Sequence, residues 1–276
     1  MTSRIRRFAA AFATLLASFA IATPASASTT YSTDYTDLWY TSTESGWGVN
    51  IIQQGQVIFV SLFVFDGASL PRWYFASSVT PSSPTNWSGT FYRTQGTSFA
   101  APWNPAQAGP PTPVGTITLN FTSPTTGTMA YSVDGIQVTK AITRISFAPD
   151  TLTGTYLGGL LANVAQCSSN TPGGYFIADR LVVDHSNQSL PRFTVDFFVN
   201  GNTATECVFQ GAYTQQGRMG TIQSGAWSCS GGANNAGTFT MTEIQATQNG
   251  LSAKFSGKDQ FCSSITGYFG GVKDVL

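Results

Sequence analysis

The strongest constraint on this chain is the near absence of helical period. From about residue 28 onward the sequence is a succession of short β-branched and aromatic runs, each cut by Gly, Asn, Asp, Ser or Pro. That pattern specifies an all-β architecture. In the first half it predicts strands near 37–42, 46–53, 57–65, 71–79, 86–94, 114–122, 127–133 and 136–147. In the second half it predicts strands near 153–161, 175–184, 192–199, 204–214, 219–229, 237–247, 251–258 and 264–272. Gln54-Gly55, Asp66-Gly67, Asp134-Gly135, Asn200-Gly201, Gln216-Gly217 and Asn249-Gly250 supply glycines for tight turns, where positive φ is needed. Thr116 to Phe121 alternates cleanly, with Ile117, Leu119 and Phe121 on one side. Val57 to Phe65 is almost unbroken apolar sequence, so that strand is expected to be covered on both faces.

Two sets of eight short strands joined by tight turns suggest two consecutive antiparallel meanders. A meander hides its edge strands most simply by closing into a barrel, with a two-sheet sandwich as the alternative. In the second half, Gly154-Thr155-Tyr156-Leu157-Gly158-Gly159 is echoed by Gly267-Tyr268-Phe269-Gly270-Gly271. Antiparallel partners share a constant index sum, and pairing Leu157 with Phe269 gives 426 while Cys167 with Cys262 gives 429. The near-equal sums place one disulfide, Cys167–Cys262, at the closing seam. Cys207 and Cys229 flank the hairpin that turns at Gln216-Gly217 and form the second. Each cross-link restricts the unfolded chain, for about 2–4 kcal/mol. A metal site is the poorer use of these four cysteines, because there is no C-x-x-C pair and only one histidine, whereas structural zinc takes four spaced ligands.

Compartment follows from the first residues and from the cysteines. Arg4, Arg6 and Arg7 precede an apolar run from Phe8 to Ala22, and Ala25-Ser26-Ala27 has the small-x-small pattern of a signal-peptidase site. Cleavage after Ala27 leaves 249 of the 276 residues, with 10 basic against 13 acidic side chains. An even cysteine count agrees with an oxidising compartment, so a secreted or periplasmic location is expected. The slight net negative charge argues against nucleic-acid binding, which relies on clustered Lys and Arg. No apolar stretch after the signal reaches the roughly 18 residues needed to span a bilayer as a helix. The expected organisation is a signal peptide over 1–27, a Trp-rich β-domain over 28–148 and a disulfide-stapled domain over 149–276. Five of the six tryptophans lie in the first half and all four cysteines in the second.

Catalytic patterns are scarce. A Ser-His-acid triad would have to use His185, but Asp184 and Ser186 beside it would point to the opposite face of a strand, and Asp184 to Ser189 has the composition of an exposed hairpin tip. No G-x-S-x-G elbow, phosphate-cradling glycine loop or calcium loop is present. Carboxylates cluster at Asp34, Asp37 and Glu44 and again at Asp179, Asp184 and Asp196. A glycosidase would need two of them about 5–9 Å apart, one with a raised pKa, and Glu44 or Glu243 would be the candidates for a lone glutamate. No catalytic residue, metal or cofactor is assigned on this basis.

Aromatic residues are abundant instead, at 13 per cent of the chain against 9 per cent charged. Trp73 and Tyr74 are adjacent, so on a strand one of them must face outward. Trp103 sits in a Pro/Gly-rich connection from about Gly96 to Pro113, and long loops in compact β-domains are often functional. Trp39, Trp47 and Trp87 read as core or barrel-plug residues. Barrels bind ligands at an open mouth, so Trp103 with Trp73 or Tyr74 is the expected ligand site, in the first domain.

The segment Glu44-Ser45-Gly46-Trp47-Gly48-Val49-Asn50-Ile51, with Gln54-Gly55, Ile58-Phe59-Val60 and Trp87-Ser88-Gly89-Thr90-Phe91-Tyr92, resembles a domain of exported proteobacterial proteins. Gly211-Ala212-Tyr213, Gly217-Arg218-Met219-Gly220 and Cys229 resemble a module that accompanies it. The resemblance implies the domain division and the exported location and carries no activity. The function expected is non-catalytic binding of a glycan, an apolar small molecule or lipid, or a protein. A structural or adhesive surface role is the alternative, and a carboxylate-dependent hydrolase a third.

Overall fold

The computed structural model describes residues 33–168, 174–199, 203–230 and 236–274; the expected signal peptide over 1–27 and the expected turn at Asn200-Gly201 fall outside them. Sixteen strands form two closed eight-stranded antiparallel barrels, each a meander in chain order. The first comprises β1 (Asp37–Thr41), β2 (Glu44–Gln54), β3 (Val57–Phe65), β4 (Pro71–Ser83), β5 (Asn86–Arg93), β6 (Thr112–Phe121), β7 (Thr126–Val133) and β8 (Ile136–Arg144). The second comprises β9 (Gly154–Cys167), β10 (Gly174–Asp184), β11 (Arg192–Val199), β12 (Thr203–Gln216), β13 (Met219–Cys229), β14 (Ala236–Ala246), β15 (Gly250–Asp259) and β16 (Cys262–Lys273). A single 3-10 turn, Pro105–Gln107, interrupts the β5–β6 connection, with Asn104 capping it through the Ala106 N–H.

Among the described residues, inward side chains of the alternating strands pack into one apolar core in each barrel. In the first, Trp39, Trp87, Phe91, Val49, Ile51, Leu62, Ile117 and Leu119 are fully buried, and Tyr35 stacks on Phe121 with ring centroids 3.6 Å apart. In the second, Phe209 is the hub of the core, meeting Trp227, Phe239, Phe255 and Phe269 at 5.1–6.0 Å.

The second barrel closes where the cysteines pair. The β9–β16 ladder runs from Cys167↔Cys262 to Tyr156↔Lys273, and every pair has the index sum of 429 set by the disulfide. Leu157 therefore pairs with Val272 rather than with Phe269. The repeated glycine motif is offset by three residues from the true register, because its glycines mark close backbone approaches and not equivalent ladder positions. Cys207–Cys229 clamps the opposite pair of the β12–β13 hairpin. Closure of the first barrel is much shorter: β1 and β8 pair at Trp39↔Arg144 and Tyr40↔Thr143.

A buried arginine reinforces that short seam. The Arg144 side chain has no solvent exposure and donates to the carbonyls of Pro124, Thr36 and Asp34 and to the Asp37 carboxylate. Its guanidinium also lies 4.9 Å from the Trp39 ring. The tip of the β12–β13 hairpin packs onto this site. Arg218 pairs with Asp34, its N–H reaches Asp37, Gln216 bonds Thr143 and the Gly217 N–H donates to Ser146. Gly217 has φ +61°, and a Cβ there would collide with Asp37 and Arg144, so only glycine suits both the turn and the contact.

Candidate functional site

Strand β3 does not have two covered faces. Its inward residues Ile58, Val60 and Leu62 are buried, while Val57, Phe59, Phe63 and Phe65 are exposed. Its unbroken hydrophobicity thus reflects an apolar outer wall and not a second layer. Neighbouring strands extend that wall. Trp73 and Tyr74 on β4 separate as period two requires: Tyr74 enters the core, and Trp73 stands outside at 54 per cent exposure. Trp73 is therefore a wall residue and Tyr74 a core residue. The Phe75 ring lies 6.1 Å from both Phe59 and Trp73 and 5.7 Å from Tyr92 on β5. Four rings from three strands form one connected surface.

The register places small and polar residues in the same surface. One cross-strand row is Gly48, Phe63, Trp73; the next is Asn50, Ser61, Phe75, Tyr92; a third pairs Ile52 with Phe59. Ser61 thus sits among Phe59, Phe63 and Phe75, with Asn50 beside it on the β2 side between Gly48 and Ile52, and their side chains make no hydrogen bond among the described residues. The charges around the wall are paired off: Arg72 with Asp66 at 2.7 Å, Arg93 with Asp134 at 3.1 Å and Lys140 with Glu44 at 2.6 Å. The result is an uncharged platform of rings with one free polar group, Ser61, within it and a second, Asn50, at its β2 edge.

The Glu44–Gly48 segment shapes one edge of the platform. Glu44 Oε2 accepts from the Trp47 indole N–H at 2.9 Å and from Lys140, which turns Trp47 inward against the core. Gly46 has φ +97°, and a Cβ there would touch the Phe65 ring at 3.4 Å. The glycines thus leave the wall beside Phe63 and Phe65 open.

Trp103 is 70 per cent exposed in the segment between β5 and β6, where its ring lies against Gly96 and Thr97 Oγ1 ties the segment to Asn104. Among the described residues no ring contact joins Trp103 to Trp73 or Tyr74. Topology nevertheless puts this segment at the barrel end where β3 passes into β4, the end that carries Phe63 and Trp73.

His185, Glu44, Asp34, Asp37, Asp184 and Glu243, all weighed for catalysis, are held in structural contacts. His185 is not an exposed tip residue: it is 1 per cent exposed, accepts the Leu152 N–H through Nδ1 at 3.2 Å and donates through Nε2 to the Gln188 carbonyl at 3.1 Å. With the Tyr213 ring edge-on at 5.0 Å, it plugs one end of the second barrel. Hydrogen bonds from Lys140 and Trp47 hold the Glu44 carboxyl below the usual range, and the Ser186 N–H does the same for Asp184. Burial pushes Asp34 up, but Thr36 and Arg218 outweigh it and leave that group low. Glu243 is bound by Lys254 Nζ and the Thr33 hydroxyl. Asp150 is raised by burial and by the charge of Asp37, yet Asp37 is itself committed to Arg144. Among the described residues no cluster of three or more His, Cys, Asp or Glu is arranged to hold a metal.

Comparison of the chain with protein-family models, curated proteins and solved structures finds no match in any of the three.

Proposed function

We propose that this is an exported, non-catalytic glycan-binding protein, with the outer aromatic wall of the first barrel as its binding face and an uncharged saccharide as its ligand. The observation that carries the reading is the union of the connected rings Phe59, Phe75, Trp73 and Tyr92 with the unpartnered Ser61 among them and Asn50 beside it at their β2 edge. Flat rings accept the apolar faces of sugars, while a few placed polar groups fix hydroxyls and give orientation. Paired border charges suit a neutral ligand better than a uronic acid. Trp103, at the same end, would contact the chain beyond the wall. The two disulfides fit an extracellular or periplasmic protein, and no helix among the described residues is long and apolar enough to cross a membrane.

Titration of the full chain with neutral and acidic polysaccharides tests this. Trp73→Ala should weaken binding of a neutral polysaccharide by tenfold or more, and Asn50→Ala by several-fold, with circular dichroism unchanged. If both variants bind as the parent does, or if no polysaccharide binds, the assignment fails.

A specific observation favours a second reading. Ile52, Phe65 and Leu70 extend the wall with apolar groups, and a contiguous apolar surface of this kind also marks protein contacts. An adhesive or self-associating component would dimerise through the wall, and light scattering on Phe63→Ser against the parent separates the two.

A further inference from the structure

Among the described strand residues of the second barrel, Thr, Ser, Lys and Gln dominate the outer face, and the seam carries an apolar cluster. Leu157, Leu161, Tyr268 and Val272 are all more than half exposed there, and they pair across the closing ladder as Leu157↔Val272 and Leu161↔Tyr268. Between these two ridges lies the cross-strand row Ser252, Gly270, Gly159, Ala178, in which no side chain is larger than that of serine. A Cβ on Gly159 would meet the Ile177 carbonyl and one on Gly270 the Leu251 carbonyl. The close strand approach therefore requires the row to stay small. The outcome is an open groove of about 290 Å³, almost wholly apolar, bounded by Leu161 and Tyr268 and floored by Gly159, Gly270, Ala178 and Ser252.

Its size and its charges narrow the occupant. Crossing four strands, the row is about 14 Å long at the usual inter-strand spacing. Four exposed apolar side chains fall well short of the roughly 800 Å² per partner that a stable protein interface buries. A slender molecule fits better than a second copy or a folded partner. The β10 end of the groove carries a cation: Arg180 lies two residues beyond Ala178 on the same face, directly across from Leu157, and makes no ion pair or hydrogen bond among the described residues. Its ladder neighbour on the other side is Asp196. At the β15 end Lys254 is engaged by Glu243, whereas Arg180 at the β10 end has no such partner among the described residues. We propose that this groove binds the alkyl chain of a medium-chain fatty acid, with the carboxylate at Arg180.

The test is calorimetric titration of the full chain with hexanoate, octanoate, decanoate, dodecanoate and hexadecanoate, below their micellar concentrations, and with dodecanol. Affinity should rise about two- to fourfold per methylene, the upper figure corresponding to complete burial, and level off once the chain outruns the groove. Dodecanol should bind less tightly than dodecanoate. Arg180→Ala should remove that difference, weakening dodecanoate about tenfold while leaving dodecanol and the melting temperature unchanged. Ser252→Phe should abolish binding of both by filling the floor, and Leu161→Ser provides a ridge variant should the first misfold. Absence of dodecanoate binding overturns the proposal. So does an affinity indifferent to chain length, an Arg180→Ala variant that binds normally, or association only with neutral phosphatidylcholine vesicles. Because the groove lies on the second barrel, its failure would leave the glycan reading of the first untouched.

Discussion

The two barrels share a topology and close by opposite means. In the second, eleven ladder pairs and a disulfide join the first strand to the last. In the first, two pairs do so, and the missing ladder is replaced by the Arg144 guanidinium, which spreads four hydrogen bonds over the chain on both sides of the seam. The covalent seam acts chiefly on the unfolded chain and is indifferent to its neighbours. The polar seam acts in the folded state and borrows part of its burial from the β12–β13 hairpin of the other barrel, through Gly217 and Arg218. The stapled barrel thus supports the unstapled one, which is free to expose its aromatic wall.

The largest effect that would break this comparison is expected at the covalent seam. Replacing Cys167 and Cys262 by Ser opens a loop with a sequence separation of 95, for which the loop-closure estimate is about 4–5 kcal/mol. The same double change at Cys207 and Cys229 opens one of 22, for which the estimate is about 3 kcal/mol. Denaturant unfolding of the two double variants should rank them in that order. If the hairpin variant proves the less stable, the seam is not where the disulfides matter most.

Arg144→Met is next. It removes the cation paired with Asp37 and the side-chain donor to three carbonyls in a buried site, a loss of about 3–5 kcal/mol. The cost should appear first in the first barrel. Indole fluorescence there, dominated by five of the six tryptophans, should change at a lower denaturant concentration than a probe on the second barrel. A single coincident transition would show that the hairpin contact makes the two barrels one cooperative unit.

These two seams were not equally legible in the sequence. Strand positions could be read because the side-chain period of two and the turn glycines at Gln54-Gly55, Asp134-Gly135 and Gln216-Gly217 mark each hairpin locally. The disulfides could be read because ladder register turns sequence separation into an arithmetic constraint. Arg144 could not: it is an ordinary strand-end arginine until the chain returns beneath it at Asp34 to Asp37, and nothing local records that return. His185 was missed for a related reason. Its neighbours Asp184, Ser186 and Asn187 do form a turn, but that turn folds over the barrel end, and burial there is a tertiary fact. The aromatic wall was hidden by its own hydrophobicity, since an apolar run reads as interior from either side. Adjacency of Trp73 and Tyr74 promised one outward ring, and period two alone did not say which.

A smaller effect comes from acid. The folded Asp34 carboxyl lies below its ordinary 3.8, because the Thr36 hydrogen bonds and the Arg218 charge outweigh burial. The pairing therefore contributes stability that is present above the unfolded value and lost as pH falls through the folded one. Asp34→Asn should flatten the decline in stability below about pH 4, and added salt should mimic the variant, because the pair is half-exposed and screened. A decline unchanged by the substitution would assign acid sensitivity to other carboxylates.

The smallest effect on stability is expected at Trp103, which nonetheless stands beside the proposed binding face. Trp103 leaves 70 per cent of its surface in water, and its tie to the chain is local, through Gly96 and the Thr97–Asn104 hydrogen bonds. Truncating it removes little buried area, so Trp103→Ala should alter unfolding free energy by no more than about 0.5 kcal/mol. If the ligand continues from the Trp73 wall onto this segment, the same change should weaken a long neutral polysaccharide several-fold and leave a short oligosaccharide, held by the wall alone, unaffected. Trp73→Ala should weaken both. A Trp103→Ala protein that melts several degrees lower and binds normally would make Trp103 a packing residue, and would confine the glycan face to β2, β3, β4 and β5.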